Sequence, residues 1–256
     1  MHRTVRPRPK LVRRSLLAVP ACAAVGLGVV LIGQGLQTLT PPPQPSAAQG
    51  FPAYASLPTP VQVPAPRVTP PPRPLAPSTP TRVRIPAIGV SAPLTALALE
   101  ASGQLAAPAS EDRNLAGWYR AGTSPGAVGT AVIAGHVDTD GGPAVFYNLG
   151  ALGRGALVDV DRADGVTAEF TVDAVEAYAS DGFPSRKVYG PAGRPELRLI
   201  TCGAGFDKAR QEYLGNVVAF AHLTGSHPTA GKPTAGKPTA GKPAVGKPVA
   251  GKPAGR

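Results

Sequence analysis

Proline decides where this chain can build a core. Fifteen prolines fall among residues 41–80, a density that removes backbone donors and holds the chain in extended, polyproline-like geometry. The C-terminus is no better placed. A five-residue unit ending Gly-Lys-Pro recurs from Thr229–Pro233 to Val249–Pro253, a period too short and too poor in apolar bulk to bury anything. Only residues 81–225 remain as a candidate folded domain, long enough for one core.

Charge follows the same division. All 15 Asp and Glu lie between Glu100 and Glu212, where 12 basic residues accompany them between Thr81 and Gly225, so the net charge of +11 belongs to the flanks. A nucleic-acid surface would need basic residues clustered on a folded face with aromatic or motif support. Neither is present, which excludes nucleic acid as a partner.

The N-terminus carries Arg3, Arg6, Arg8, Lys10, Arg13 and Arg14, and no charged residue follows until Arg67. Leu16 to Leu36 is rich in Leu, Val, Ala and Gly, with the thiol of Cys22 as its one ionisable side chain. That is the length of a single bilayer-crossing helix, and the basic flank stays inside, sending everything after Leu36 out of the cytoplasm. A cleaved signal has a shorter apolar core, and Ser46-Ala47-Ala48 lies too far beyond this one; a lipid-modified Cys22 would not need the apolar run to continue past it. The expected organisation is a cytoplasmic basic segment 1–15, a transmembrane signal anchor 16–36, a proline-rich linker 37–80, a folded extracellular domain 81–225 and a disordered tail 226–256. As a spacer the linker would reach roughly 100 Å at ~3 Å per residue. The tail's lysines suit anionic wall polymers, though the same composition describes a solvated tail without a partner.

Within the domain, short β-rich segments are bounded by Gly, Pro, Asp and Asn: Arg82 to Ile85, Thr130 to Ala134, Leu157 to Val160, Ala168 to Val175, Leu197 to Thr201 and Val217 to Ala221. Alternation places Phe170, Val172 and Ala174 on one face and Glu169, Thr171 and Asp173 on the other. This predicts an all-β fold, a closed or nearly closed barrel, with Pro143 to Gly150 as a helical turn packing Val145, Phe146 and Leu149 on it.

With Cys22 in the anchor, Cys202 is the single thiol of the exported domain: an inert buried residue, half of an intermolecular disulfide, or a reactive thiol. Leu197-Arg198-Leu199-Ile200-Thr201-Cys202-Gly203 puts it at the end of an apolar strand before a glycine turn, at a barrel rim. Among the histidines, His2 and His227 lie in the tails and His222 ends the last strand. His136 closes the run Val132-Ile133-Ala134-Gly135, a second strand leaving the core. One thiol and one imidazole at strand ends form a candidate nucleophilic pair.

At these residues the sequence resembles the sortases, membrane-anchored cysteine transpeptidases of Gram-positive cell surfaces. The resemblance runs from Thr81 to about Leu223. It rests on Arg84-Ile85-Pro86-Ala87-Ile88-Gly89-Val90, Gly117-Trp118-Tyr119 before Pro125-Gly126, Ala134-Gly135-His136-Val137-Asp138, Leu199-Ile200-Thr201-Cys202-Gly203 and Asn216-Val217-Val218. The Gly-His-Val-Asp and Thr-Cys-Gly forms, with Tyr213 followed by Asn216, look most like the class F branch of high-GC Gram-positive bacteria. The resemblance implies an eight-stranded sortase barrel with His136 and Cys202 catalytic.

It also implies the reaction. Cys202 attacks the threonine carbonyl of a sorting-type motif in a secreted protein, and a cell-wall amine of peptidoglycan or another protein resolves the thioacyl enzyme. The sequence departs from the family at the third residue, usually an arginine on the strand after the cysteine loop. Here the matching position is Asn216, whose amide can donate to an oxyanion, with Arg210 in the preceding loop as the other candidate and a turn-capping role open for Asn216. No cofactor or metal is called for, since a Cys/His ligand cluster is missing and Asp138 with Asp140 is too common a pair to indicate calcium. A wall-peptide L,D-transpeptidase fits poorly, because Leu199, Ile200 and Thr201 stand where a Ser-His-Gly run would precede the cysteine. The missing arginine leaves a second reading, an exported wall-associated binding module with a catalytically weak sortase-like domain.

Overall fold

The computed structural model describes residues 41–52 and 71–229. The anchor expected over 16–36 and most of the repeat tail lie outside them; among the described residues no helix is long and apolar enough to cross a membrane.

Eight strands close into a barrel in the order β1 (Pro80–Ile85), β2 (Val90–Leu97), β3 (Ala116–Tyr119), β4 (Gly129–Gly135), β9 (Pro195–Asp207), β10 (Glu212–Pro228), β8 (Val166–Ala179) and β7 (Leu157–Arg162), the last returning to β1. The pairs β2 with β3 and β4 with β9 are parallel and the others antiparallel. A small hairpin, β5 (Asp138–Thr139) and β6 (Gly142–Pro143), stands apart, and a short helix, α1 (Ser185–Tyr189), interrupts the β8–β9 connection. The all-β closed barrel expected from the sequence is therefore the fold. The region 143–150 forms turns leading into a 3-10 helix at Leu149–Ala151, and it buries Val145, Phe146 and Leu149 as expected.

Alternation along the strands fills two apolar layers. Inward residues form the barrel core, among them Val83, Ile133, Phe170, Leu197, Leu199 and Val217. A second cluster, Val132, Ala174, Val188, Ile200, Val218 and Phe220, lies on the outer face of β4, β9, β10 and β8 beneath α1. Ala174 corrects the sequence expectation. It parts from Phe170 and Val172 because the β8–β10 register slips between Phe220 and Ala221, paired with Ala174 and Val172, and leaves Asp173 unopposed. One extra residue reverses the facing of every side chain beyond it. From Ala174 onward β8 therefore turns Ala174, Glu176 and Tyr178 outward.

The proline-rich segment, read from sequence as a spacer, lies against the barrel where it is described. Near the start of β1, the Leu75 N–H donates to Gly126 O at 2.8 Å and the buried Arg162 guanidinium donates to Ala76 O and Pro125 O, each at 2.6 Å. Residues 41–52 cross the barrel elsewhere. Gln49 Nε2 donates to Gly150 O and Leu152 O at 2.9 Å, and the Phe51 ring meets Phe220 edge-on at 5.2 Å. Such contacts fix a segment that composition alone leaves free.

Candidate active site

Cys202 lies within β9, which continues to Asp207, so the strand does not end at the thiol as its sequence suggests. Immediately after Gly203 the strand carries a β-bulge. Tyr213 pairs with Phe206 and Gly215 with Gly203, so Ala204 and Gly205 together face Leu214 alone. Ala204 adopts φ 58° and Gly205 φ 100°, left-handed values that re-aim the strand at this point. Cys202 shares the outward parity of Ile200, and its thiol is free and exposed. That removes the inert buried reading.

Three neighbours stand at the level of Cys202. On one side β10 pairs Asn216 directly with Cys202, and β8 pairs Tyr178 with Asn216. On the other, Ala134 of β4 pairs with Ile200, two residues before His136 and Cys202 respectively, so the parallel strands deliver imidazole and thiol to the same height. Residues opposite one another in a ladder share a face, which makes an outward row of Cys202, Asn216 and Tyr178, with His136 just past the end of β4 at the same level.

His136 Nε2 donates to the buried Pro108 carbonyl at 2.8 Å. A carbonyl accepts only, so that nitrogen carries the proton and Nδ1 keeps the lone pair in the neutral ring. Asn216 Nδ2 donates to Thr201 O at 3.3 Å, a long bond that uses one of its two amide hydrogens. Asn216 sits inside β10 and caps no turn. Arg210 points away: its side chain is 73% exposed and meets Asp207 and Glu212 at 3.9 Å each. His222 does not end its strand, which runs on to Pro228; its Nδ1 lies 2.8 Å from Asp173 Oδ1.

Asp138 acts on the thiol, and Tyr213 holds Asp138. Tyr213 donates to Asp138 Oδ2 at 2.5 Å, tying the hairpin after His136 to the start of β10, and Phe206 packs edge-on against the Tyr213 ring at 5.0 Å. Although the thiol is accessible, the protein around it partly desolvates the sulfur and raises the Cys202 pKa above the ordinary thiol range, and the Asp138 carboxylate adds to the rise, so the resting group is a neutral thiol. In sequence Asp138 reads as the last residue of the Gly-His-Val-Asp form and as half of a poor calcium pair, and nothing local signals that Tyr213 is its hydrogen-bond partner. No cluster of metal ligands occurs among the described residues.

The outer apolar cluster begins at Ile200 and Val218, next to Cys202 and Asn216, flanked by Leu105 and Tyr119 from one side and Phe183 and Val188 from the other. Farther along the same face a cavity of about 240 Å³ is lined by Phe51, Arg154, Arg194, Arg198 and Phe220. Arg198 is four residues from Cys202 on β9, roughly 13 Å away, so that cavity is separate from the chemistry.

A family model described as the sortase domain matches residues 83–224. The chain belongs to the sortase family. Membership makes it a cysteine transpeptidase. Similar solved structures include sortase A of Listeria monocytogenes, 18% identical over 60% of this chain and 92% of that one with a TM-score of 0.44. Sortase C-1 of Actinomyces oris is 20% identical over 57% of this chain and 73% of that one, also with a TM-score of 0.44. No curated protein matches the chain.

Proposed function

We propose that this sortase uses Cys202 as nucleophile, His136 as general acid and base and Asn216 as oxyanion donor, joining a secreted protein bearing a sorting-type motif to a cell-wall amine. The observation that carries the reading is the exposed Cys202 thiol at the level of His136 and directly opposite Asn216. As Sγ attacks the threonine carbonyl, its proton passes to the lone pair on His136 Nδ1. The tetrahedral oxyanion takes the second hydrogen of the Asn216 amide, which the bond to Thr201 O leaves available. The C–N bond then breaks, the leaving amine takes the proton from His136, and a thioacyl enzyme remains. In the second half an incoming amine gives its proton to His136 and attacks the thioester. The C–S bond breaks and the thiolate takes that proton back.

The acyl-donor peptide lies along the outer cluster, where Ile200 and Val218 offer apolar floor beside Cys202. Class F membership rests on Gly135-His136-Val137-Asp138, Thr201-Cys202-Gly203 and Tyr213 with Asn216. The uncharged run Leu16–Leu36 after six basic residues supports a single-pass anchor with the barrel outside the cell. The test is mass spectrometry of the protein incubated with a library of sorting-signal peptides. An acyl adduct on Cys202 supports the reading; peptide turnover without one, or turnover by Cys202→Ala, overturns it.

A further inference from the structure

The bulge after Cys202 has an unusual partner. In an antiparallel ladder the extra residue of a bulge goes unpaired, and here the Ala204 N–H finds its acceptor 160 residues away, donating to Gln44 Oε1 at 3.0 Å. The Gln44 amide is set for this by its own segment, because Nε2 donates to Pro42 O at 3.2 Å and leaves the oxygen for Ala204. Ala204 also holds φ 58° without being glycine, a strained conformation that persists only where neighbouring contacts enforce it.

The seat of this segment is built into the barrel. Gly150 shows no left-handed backbone that would require glycine, yet a Cβ there would collide with the carbonyl of Pro43, the residue before Gln44. Gln49 bonds to Gly150 O and Leu152 O. Farther along, the Phe51 N–H donates to Glu176 Oε1 at 3.0 Å and Lys187 Nζ sits 4.9 Å over the Phe51 ring. The docked segment leaves the thiol exposed, so it braces the turn beside the nucleophile and does not cover it.

We infer that Gln44 is a positioning residue for the transpeptidation: from the membrane-proximal side of the chain it holds the Ala204 bulge that aims Cys202, while Pro43 fills the space that Gly150 keeps open. The inference rests on Cys202 being the nucleophile. Gln44 touches neither substrate nor thiol and acts through the Ala204 amide.

The test uses the full-length chain and the peptide that acylates the wild type. Gln44→Ala lowers kcat by roughly three- to tenfold, the worth of one exposed hydrogen bond, with KM within about twofold. Gln44→Glu, which keeps an oxygen acceptor, recovers most of that loss. Gly150→Ala, with its collision against Pro43, reproduces the kcat defect from outside the site. Amide hydrogen exchange at Ala204 accelerates in the Gln44→Ala and Gly150→Ala variants. Gln44 is exposed, so its replacement leaves the fold intact and decides the matter even where Gly150→Ala misfolds. An unchanged kcat in Gln44→Ala, or equal losses in the alanine and glutamate variants, overturns the inference. A rise in kcat also overturns it, showing a plug instead of a brace. A wild type that forms no acyl adduct on Cys202 fails the nucleophile assignment instead, before any comparison of variants.

Discussion

At the scale of residues, Cys202 stands among groups that make its thiolate costly. Partial desolvation of the accessible sulfur and the Asp138 carboxylate both raise its pKa, so the thiolate form grows in only as pH rises past the ordinary thiol range. Alkylation of Cys202 by iodoacetamide is therefore expected to be slow at neutral pH and to reach its plateau on the alkaline side of a free thiol. Asp138→Asn removes a negative charge and moves the midpoint down; a midpoint that stays put dissociates Asp138 from the thiol. For turnover, Cys202→Ala and His136→Ala abolish peptide cleavage, and Asn216→Ala costs on the order of a hundredfold, as loss of one oxyanion donor does. Arg210→Ala costs less, because its exposed guanidinium is turned toward Asp207 and Glu212. The ordering is the measurement: Arg210→Ala as the more damaging change, with both proteins folded by circular dichroism, transfers the role to Arg210.

At the scale of elements, the residues legible in the sequence are those whose role is local. The runs ending at His136 and reaching Cys202 read as strands because β-branched and apolar residues cluster there, and β4 and β9 are those strands. β2 and β3 are not legible in this way: Val90–Leu97 carries Pro93 and small residues, and Ala116–Tyr119 is four residues long, both weak β signals that pairing in the closed barrel overrides. The Asp173 bulge is hidden too, since an alternation count has no means of seeing one unopposed residue. Docking of residues 41–52 is illegible because it depends on Gly150, Ala204, Glu176 and Phe220, which share no local pattern with Gln44 or Phe51. The far end of that segment carries a pH dependence. Burial alone would raise the Glu176 pKa, but hydrogen bonds from Lys187, Tyr178 and the Phe51 N–H hold it below the usual carboxylate value. Lys187 and Tyr178 stay beside Glu176 when the segment leaves, so only the share lent by the Phe51 N–H belongs to docking; that share stabilises the docked form fully above the undocked pKa and is lost as pH falls through the lower, docked one. Hydrogen exchange at the Phe51 amide, referred to the intrinsic rate at each pH, is thus expected to gain protection from acid to neutral pH, and Glu176→Gln to flatten that change; a wild-type profile as flat as the variant's rules the carboxylate out.

At the scale of the whole molecule, the docked segment changes where an anchored barrel would stand. A free linker of residues 37–80 would let the domain range roughly 100 Å from the bilayer. With Pro43 and Gln44 fastened beside Gly150 and Ala204, only residues 37–43 join the expected span to the barrel, and seven residues fully extended cover about 25 Å. The barrel edge that carries Ala204, two residues from Cys202, and not a distant pole, is then the part nearest the tether. The expectation is tested in vesicles with the full-length Cys22→Ser protein carrying a fluorophore on Cys202. Quenchers attached to lipid headgroups dim it strongly, and Gln44→Ala combined with Gly150→Ala, which frees Pro43 and Gln44 and lengthens the tether toward Gln49, restores part of the emission. Protein that fails to sediment with the vesicles disproves the anchor itself. Protein that sediments but escapes quenching disproves the short tether, returning the proline-rich segment to the role of a long spacer.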